Sequence, residues 1–304
     1  MEARNFKGAL LSTLMMVSII AIALSLLLTE PASASPGNLI YVPDNYPTIQ
    51  SAVDNASPGD TIYVRDGVYP ENVVVNKFLT LIGQSNTATK VVGGFKVMAD
   101  NVVIENFTIA GGYEWDPDGA GVGGAYKAGI YVASCGNALI FNNRIENILG
   151  GTGGIGEWLG SGGAGGVGAG IYLSSSTWDN LTSNTIENIR GGTGGMGLYY
   201  NSSGGAGGVG AGIYLSSSTW DNLTSNTIEN IRGGTGGTGG SYGSGGADQV
   251  GFGIYFDGGS GNNYLGVSGS EFNTLDGDPI LYFYNMTGLV IENYTLTAHS
   301  NPTN

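Results

Sequence analysis

Four carboxylates recur along the chain at an interval of 41 or 42 residues, each between an isoleucine and an asparagine: Glu105, Glu146, Glu187 and Glu229. Equivalent residues of a repeat protein stack on neighbouring turns, and stacked carboxylates repel one another unless a cation or a base intervenes. The chemistry that such a stack could support is binding of a divalent cation by oxygen ligands. The alternative is a solvated acidic stripe, partly offset by Arg190 and Arg232.

A second acidic group lies in the turn sequence DPDG, where Asp116 and Asp118 follow Glu114 closely. The turn is similar to part of a calcium loop but lacks the later bidentate glutamate of an EF-hand, so solvated acids are the alternative. The sequence requires no cofactor. Calcium is the one for which it offers candidate ligands: Glu146, Glu187, Glu229, Asp116 and Asp118.

A tyrosine recurs in the motif GIY, at Tyr131, Tyr172, Tyr214 and Tyr255. Because each alternates with an inward isoleucine, we expect these side chains to face outward as stacked aromatics. Exposed aromatic rings suit the flat faces of sugars or a protein partner. The alternative, left open by the sequence, is that glycine-rich loops cover the rings and form a second small core.

Four glycine-rich segments, at 110–128, 150–169, 191–211 and 233–252, show no sustained period and are predicted to be loops. Loops of this length tend to be functional or disordered, but glycine-rich chains can also order one another as polyproline-II-like helices. Aromatic residues stand near their middles. We therefore predict a glycine-rich fin with an aromatic rim that binds a ligand: Trp158, Tyr199, Tyr200 and Tyr242.

Other polar and aromatic residues have less specific patterns. Trp178 and Trp220 occur in two repeats only, with Asn137 and Gly261 as their expected equivalents, which favours ordinary corner packing. Glycosylation sequons are frequent, and the candidates for modification are Asn201, at the tip of a glycine-rich segment, together with Asn180 and Asn222.

No catalytic constellation is apparent. The single histidine, His299, lies in the C-terminal tail, and neither a nucleophile elbow nor a zinc-ligand spacing occurs. Paired carboxylates do not discriminate here, because nearby members of a glutamate stack would come within about the separation that glycosidases need. The residues favour a protein without catalytic activity.

The elements that position these residues belong to a solenoid. The 35 residues from Ser161 to Gly195 return unchanged from Ser203 to Gly237, which indicates interchangeable units that contact mainly their neighbours. Leu81 and Ile104 occupy equivalent places only 23 residues apart, so a bare turn takes about 23 residues and the longer period is one turn plus an excursion. Short alternating runs predict three short strands per turn, an all-β parallel β-helix.

The segment from Val42 to Gly83 resembles the opening of right-handed parallel β-helix proteins of the pectin-lyase-like superfamily, and the N-x-I-E-N turns are similar to NosD-type surface repeats. The resemblance implies a helix at 48–56 that caps the coil. It also implies an asparagine ladder, which we assign to Asn106, Asn147, Asn188 and Asn230. The superfamily includes polysaccharide lyases, hydrolases and methylesterases, so fold is specified more strongly than activity.

Composition limits the partners. The 304 residues carry a net charge of −14, which argues against nucleic acid and anionic membranes, and the 56 glycines lack the regular spacing of collagen. Residues 1–34 have the pattern of a signal peptide with a cleavage site after Ala34, or alternatively of an uncleaved membrane anchor. The only cysteine, Cys135, is expected to be a buried, inert thiol.

We therefore expect a secreted or cell-surface protein with a cap at 35–59, a β-helix at 60–296 and a tail at 297–304. The predicted function is non-catalytic binding of a polysaccharide or a neighbouring surface protein through the fin and the tyrosines. A polysaccharide lyase or glycoside hydrolase, and a purely structural spacer, are the alternatives.

Overall fold

A computed structural model of the chain describes residues 37–115, 123–156, 160–257, 259–265 and 272–280. The predicted signal peptide, the tail, and the candidate residues Asp116, Asp118 and Trp158 lie outside the described residues. Within the described ranges, no helix is long and apolar enough to cross a membrane.

Three sheets of short strands, stacked turn upon turn, make up the coil. The first sheet contains, in spatial order, β1 (Leu39–Val42), β2 (Thr61–Val64), β5 (Thr80–Gly83), β8 (Val103–Glu105), β12 (Leu139–Phe141), β15 (Asn180–Thr182) and β18 (Asn222–Thr224). The second contains β3 (Gly67–Tyr69), β6 (Thr89–Gly93), β9 (Thr108–Gly111), β13 (Arg144–Glu146), β16 (Thr185–Arg190), β19 (Thr227–Arg232), β21 (Thr274–Leu275) and β22 (Asp278–Pro279). The third contains β4 (Val73–Val75), β7 (Phe95–Val97), β11 (Tyr126–Ala133), β14 (Gly168–Ser174), β17 (Gly210–Ser216) and β20 (Gly251–Asp257), with β10 (Tyr113–Trp115) beside β11.

All pairings between successive turns are parallel, and only the local pairs β10–β11 and β21–β22 are antiparallel. The parallel β-helix expected from the sequence is thereby confirmed. Leu81 pairs with Ile104, as the 23-residue bare turn requires. Alternation along each strand sends every second apolar side chain inward, so Ile104, Ile140 and Leu181 are buried one above another.

The predicted capping helix is present as α1 (Ile49–Asn55). Thr48 caps its start and exchanges side-chain hydrogen bonds with Ser51, while Ile49, Ala52 and Val53 are buried against the first turns. The carboxylate of Glu71 accepts hydrogen bonds from the amides of Ile49 and Gln50, at 2.9 and 2.8 Å. Two otherwise unpaired amides at the helix start are satisfied in this way.

The motif IEN changes sheets along the chain, which corrects two predictions. Ile104 and Glu105 lie in the first sheet, where Glu105 faces Phe141, whereas Glu146, Glu187 and Glu229 pair in the second sheet. The turn that contains the first excursion is shorter than the later ones, so equal spacing in sequence does not give equal positions there. Glu105 and Asn106 are therefore not members of the predicted columns, a column being the residues at one position of successive turns.

The buried asparagine ladder lies at a different corner from the predicted one. Asn147, Asn188 and Asn230 occupy an outer corner with positive φ, a conformation that asparagine tolerates well. Nδ2 of Asn230 donates to Oδ1 of Asn188 at 2.5 Å, so this part of the predicted ladder is confirmed. The buried column, four residues earlier in the chain, is Asn143, Asn184, Asn226 and Asn273. Each oxygen accepts the backbone amide of the preceding turn at 3.0 to 3.1 Å, and each Nδ2 reaches a carbonyl. The ladder thus satisfies polar backbone inside the coil.

The glycine-rich segments form an ordered fin, defined here as residues 150–156, 160–167, 191–209 and 233–250. The expectation of no period is wrong, because glycine pairs recur every third residue, as in GGTGGMG from Gly191 to Gly197. The first glycine of a triplet donates to the following turn, as Gly194 does to Thr235 at 2.8 Å. The second donates to the preceding turn, as Gly195 does to Gly163 at 2.8 Å. The loops therefore order one another.

Glycine is required in the fin because neighbouring backbones leave no room for a Cβ, and not because the backbone adopts a positive φ. A Cβ on Gly195 would overlap the carbonyl oxygen of Gly154, although the backbone of Gly195 lies outside the left-handed region. Chains packed this closely exclude every other residue type, as at the axis of a collagen triple helix. Only the third residue of a triplet can therefore carry a side chain.

Candidate functional site

The tyrosine column is mostly covered, which corrects the prediction of an outward binding surface. Tyr172 and Tyr214 are only 8% and 6% exposed, and their rings stack at 4.5 Å. Trp115 contacts Tyr172 edge-on at 5.1 Å and stacks flat on the half-buried Tyr131 at 4.2 Å. Burial raises the pKa of Tyr172 to about 12. These rings form the second small core that the sequence had left as the alternative.

The covering residues come from the bases of the excursions. Ala128, Val167, Ala169 and Ala211 are buried with the two tyrosines, and Tyr255 packs at the far end, 4.8 Å from Tyr214. The side chain of Tyr214 donates its hydroxyl proton to Asp257 at 3.1 Å. The column consequently anchors the fin to the coil instead of offering Tyr172 and Tyr214 to a ligand.

Two members of the glutamate column, Glu146 and Glu187, form ion pairs with basic side chains. Glu146 accepts from Lys90 at 2.9 Å and from Nε of Arg144 at 3.0 Å, and Arg144 also pairs with Glu187. Burial acts to raise the pKa of Glu146, but the hydrogen bonds from Lys90 and Arg144 outweigh it and the pKa is lowered.

Over the described ranges, no three acidic, histidine or cysteine side chains converge as metal ligands. Calcium binding by Glu146, Glu187 and Glu229 stays a prediction, and Glu146 with Glu187 forms an ion-paired stripe. Its partners are Lys90 and Arg144, not the expected Arg190 and Arg232.

The rim of the fin presents exposed aromatic side chains, as predicted. Tyr199, Tyr200 and Tyr242 are 44%, 61% and 85% exposed, and the rings of Tyr200 and Tyr242 lie 5.1 Å apart. The hydroxyl of Ser202 accepts from the amide of Tyr199 at 2.9 Å and donates to its carbonyl at 2.6 Å, which closes the tip. The tip is thus held by the Ser202 hydroxyl, which bonds to backbone groups, while the rings of the rim are exposed.

The glycosylation candidates differ in access. Asn201 is exposed at the rim, and its backbone amide donates to the carbonyl of Ser241 at 2.9 Å. Asn180 and Asn222 are half-buried in β15 and β18, and their amides contact each other at 3.3 Å. Asn201 alone offers an accessible side chain, and its modification stays a prediction.

Two tryptophans that the sequence assigned to corner packing are exposed. Trp178 and Trp220 are 59% and 50% exposed and stack at 5.2 Å with an interplanar angle of 11°. Thr219 pairs with Gly261, so the equivalent of Trp220 is Asn262 and not the expected Gly261. A signal was present in the sequence, since the flanking turns carry small asparagines where these two turns carry tryptophan.

Beside them, Asp179 and Asp221 are fully buried. One oxygen of each accepts a backbone amide from the preceding turn, at 2.8 and 3.0 Å, whereas Oδ2 of each has no hydrogen-bond partner. Burial raises the pKa of Asp179 to about 6 and that of Asp221 to about 7. They belong to a backbone-capping ladder whose next member is Asn263.

Two other sites carry less chemistry. Cys135 is half-buried and not fully buried, its thiol contacts the carbonyl of Val97 at 3.6 Å, and burial raises its pKa to about 11. A cleft of about 530 Å³ near the last turn is lined by Arg190, Arg232 and Asp248, among others. It brings together charges of both signs, but no histidine lies among the described residues to serve there as a base.

No family model matches the chain, and no curated protein matches it. Three solved structures are similar over 65% of the chain. Two are pectin methylesterases in complex with hexasaccharides: a mutant with 11% identity, 80% of that chain covered and a TM-score of 0.34, and a second with 12% identity, 79% covered and a TM-score of 0.31. The third is the pectin methylesterase of Erwinia chrysanthemi, with 11% identity, 71% of that chain covered and a TM-score of 0.32. At these values the comparison carries no conclusion about activity, and the fold rests on the sheet topology.

Proposed function

We propose that this protein is a secreted or cell-surface β-helix that binds carbohydrate without transforming it, through the aromatic rim of its fin. The observation that carries the proposal is the exposure of Tyr200 and Tyr242 on a rigid scaffold. The coil supports the fin, and the covered tyrosine column anchors it. The signal-peptide pattern of residues 1–34 supports export.

Rigidity favours binding at the rim. The fin carries hydrogen bonds between its chains at 2.7 to 3.0 Å along its length, so ligand binding would not have to order a mobile loop. Aromatic rings bury a large area at low entropic cost, and their faces suit the apolar faces of sugars. The acidic surface, with a net charge of −14, favours neutral over acidic polymers.

The test is affinity electrophoresis of the full chain in gels that contain neutral or acidic polysaccharides, with assay of soluble products. We expect retardation without products, and at least tenfold weaker binding for the double variant Tyr200→Ser and Tyr242→Ser. The matched control is Val68→Ser, which alters a 67% exposed side chain of the coil that is distant in sequence from the rim tyrosines. This variant should bind normally.

Each other outcome has a defined meaning. Release of products would replace this proposal with a lyase or hydrolase. Retention only by a surface protein would identify the other predicted class of partner. Absence of any binding would leave the protein as a structural spacer.

A further inference from the structure

The corner between the third and first sheets carries a feature that the fin does not explain. The column Asn137, Trp178, Trp220 and Asn262 has φ between 56° and 66° at every member. This left-handed conformation suits asparagine, whereas a bulky aromatic residue adopts it at a cost on the order of 1 kcal/mol or more. Two turns thus hold the unfavourable residue where the flanking turns hold the favourable one.

Packing does not compensate for this cost. Trp178 is 59% exposed and Trp220 is 50% exposed, although the two indoles stack on each other. Strained residues that gain little from burial are concentrated at binding and catalytic sites, because the surrounding structure holds them there for another purpose. The pair is therefore better explained by a ligand than by stability.

The stack leaves two outer faces available. The inner faces of the indoles cover each other at 5.2 Å, and the next residue of the column on either side is an asparagine, which is too small to cover an outer face. Asn137 and Asn262 occupy the next turns of the column on either side of the stack, and a side-chain amide donates and accepts hydrogen bonds. An aromatic face next to an amide is an arrangement suited to a sugar ring, whose C–H face packs on the indole while its hydroxyls reach the amide.

The charges near this corner favour neutral sugars over anionic ones. The segments Ser174–Trp178 and Ser216–Trp220, which form this corner, contain serine, threonine and tryptophan and no charged side chain. The nearby carboxyls of Asp179 and Asp221 are buried, and the chain as a whole is acidic. The corner thus offers no cation to a uronate or a sulfate.

We propose that Trp178 and Trp220 form a second carbohydrate site, separate from the fin rim, which takes neutral glycans through the outer indole faces and the amides of Asn137 and Asn262. The proposal rests on the same binding function as the rim but on different residues. The two sites can therefore fail independently.

The test compares the wild-type full chain with the double variant Trp178→Asn and Trp220→Asn, which restores the residue of the flanking turns. The probes are cellohexaose and mannohexaose. Tryptophan fluorescence reports binding to chains that keep both residues, and isothermal titration calorimetry in the Tyr200→Ser and Tyr242→Ser background compares affinities with and without the substitution, because the variant lacks two of the four tryptophans. We expect a saturable change for the wild type, a loss of at least tenfold in affinity for the variant, and a Tm that is unchanged or higher.

Two controls separate the sites and the roles. Tyr200→Ser with Tyr242→Ser should leave the fluorescence response intact, so loss at the rim and loss at the corner are distinguished. Trp115→Phe alters a tryptophan of the second core and should lower Tm without removing the response. A lower Tm for the tryptophan-to-asparagine variant with undiminished binding, or no response of the wild type to either probe, would overturn the proposal.

Discussion

The coil and the fin hold successive turns together by different kinds of packing. Both connect successive turns through backbone hydrogen bonds, but the coil fills its interior with side chains such as Ile186, whereas the fin brings backbones so close that side chains are excluded. In the coil, burial of apolar surface supplies most of the stabilisation. In the fin, hydrogen bonds and close backbone packing replace it, and the second core of tyrosines joins the two regions.

The largest expected effect tests the role of side chains in the coil. Ile186→Ala should lower the free energy of unfolding by about 2–5 kcal/mol, because it leaves a cavity at a fully buried position of the stack. Ile155→Ala in the fin, where the side chain is 55% exposed, should change it by less than about 0.5 kcal/mol. Equal losses, measured by chemical denaturation, would show that the fin also depends on apolar side chains.

A second prediction concerns polar groups inside the coil. Asp221→Asn should raise the free energy of unfolding above pH 7 by about 2–4 kcal/mol, because an uncharged amide replaces a buried carboxyl whose Oδ2 has no partner. Asn263 and the buried asparagine column show that an amide suits such a corner.

The pH dependence gives this prediction its sign. With a folded pKa of about 7 and an unfolded value of about 3.9, the folded chain keeps a proton that the unfolded chain releases. The stability of the wild type should therefore fall as pH rises from 4 to 7. Asp179 lies beside Asp221, and Asp100 acts in turn on Asp179. Part of the dependence of stability on pH should therefore persist in Asp221→Asn, and less of it should persist in the double variant Asp179→Asn with Asp221→Asn. Parallel curves for wild type and variants would contradict the assignment.

The smallest expected effect on global stability tests close packing in the fin. Gly195→Ala should open the fin locally and increase amide hydrogen exchange across 191–209 at least tenfold, with a global loss of about 1 kcal/mol or less, because the fin opens separately from the coil. Gly245→Ala is the matched control, since its Cβ would meet only the oxygen of Gly237 at 3.6 Å. Identical exchange in both variants would mean that close packing does not hold the fin.

The site was predictable to the extent that it depended on spacing. The exposure of Tyr199, Tyr200 and Tyr242 was predictable, because aromatic residues in a glycine-rich segment have no core of their own to enter. The exposure of Trp178 and Trp220 was not predicted, because a tryptophan that recurs in only two turns suggests ordinary corner packing. The buried asparagine column was missed because inward-facing and outward-facing corner positions both carry asparagine, so the residue type does not show which way the side chain points.

By itself, the sequence determined the parallel β-helix, the 23-residue bare turn and the pairing of Tyr131 with Tyr172, Tyr214 and Tyr255, because the period of a solenoid decides which residues are neighbours. Only the tertiary structure decided which members of a column are covered. Exposure depends on where the excursions pack, and the same outward position is buried at Tyr172 beneath Trp115 but open at Trp178, where no segment among the described residues covers the corner.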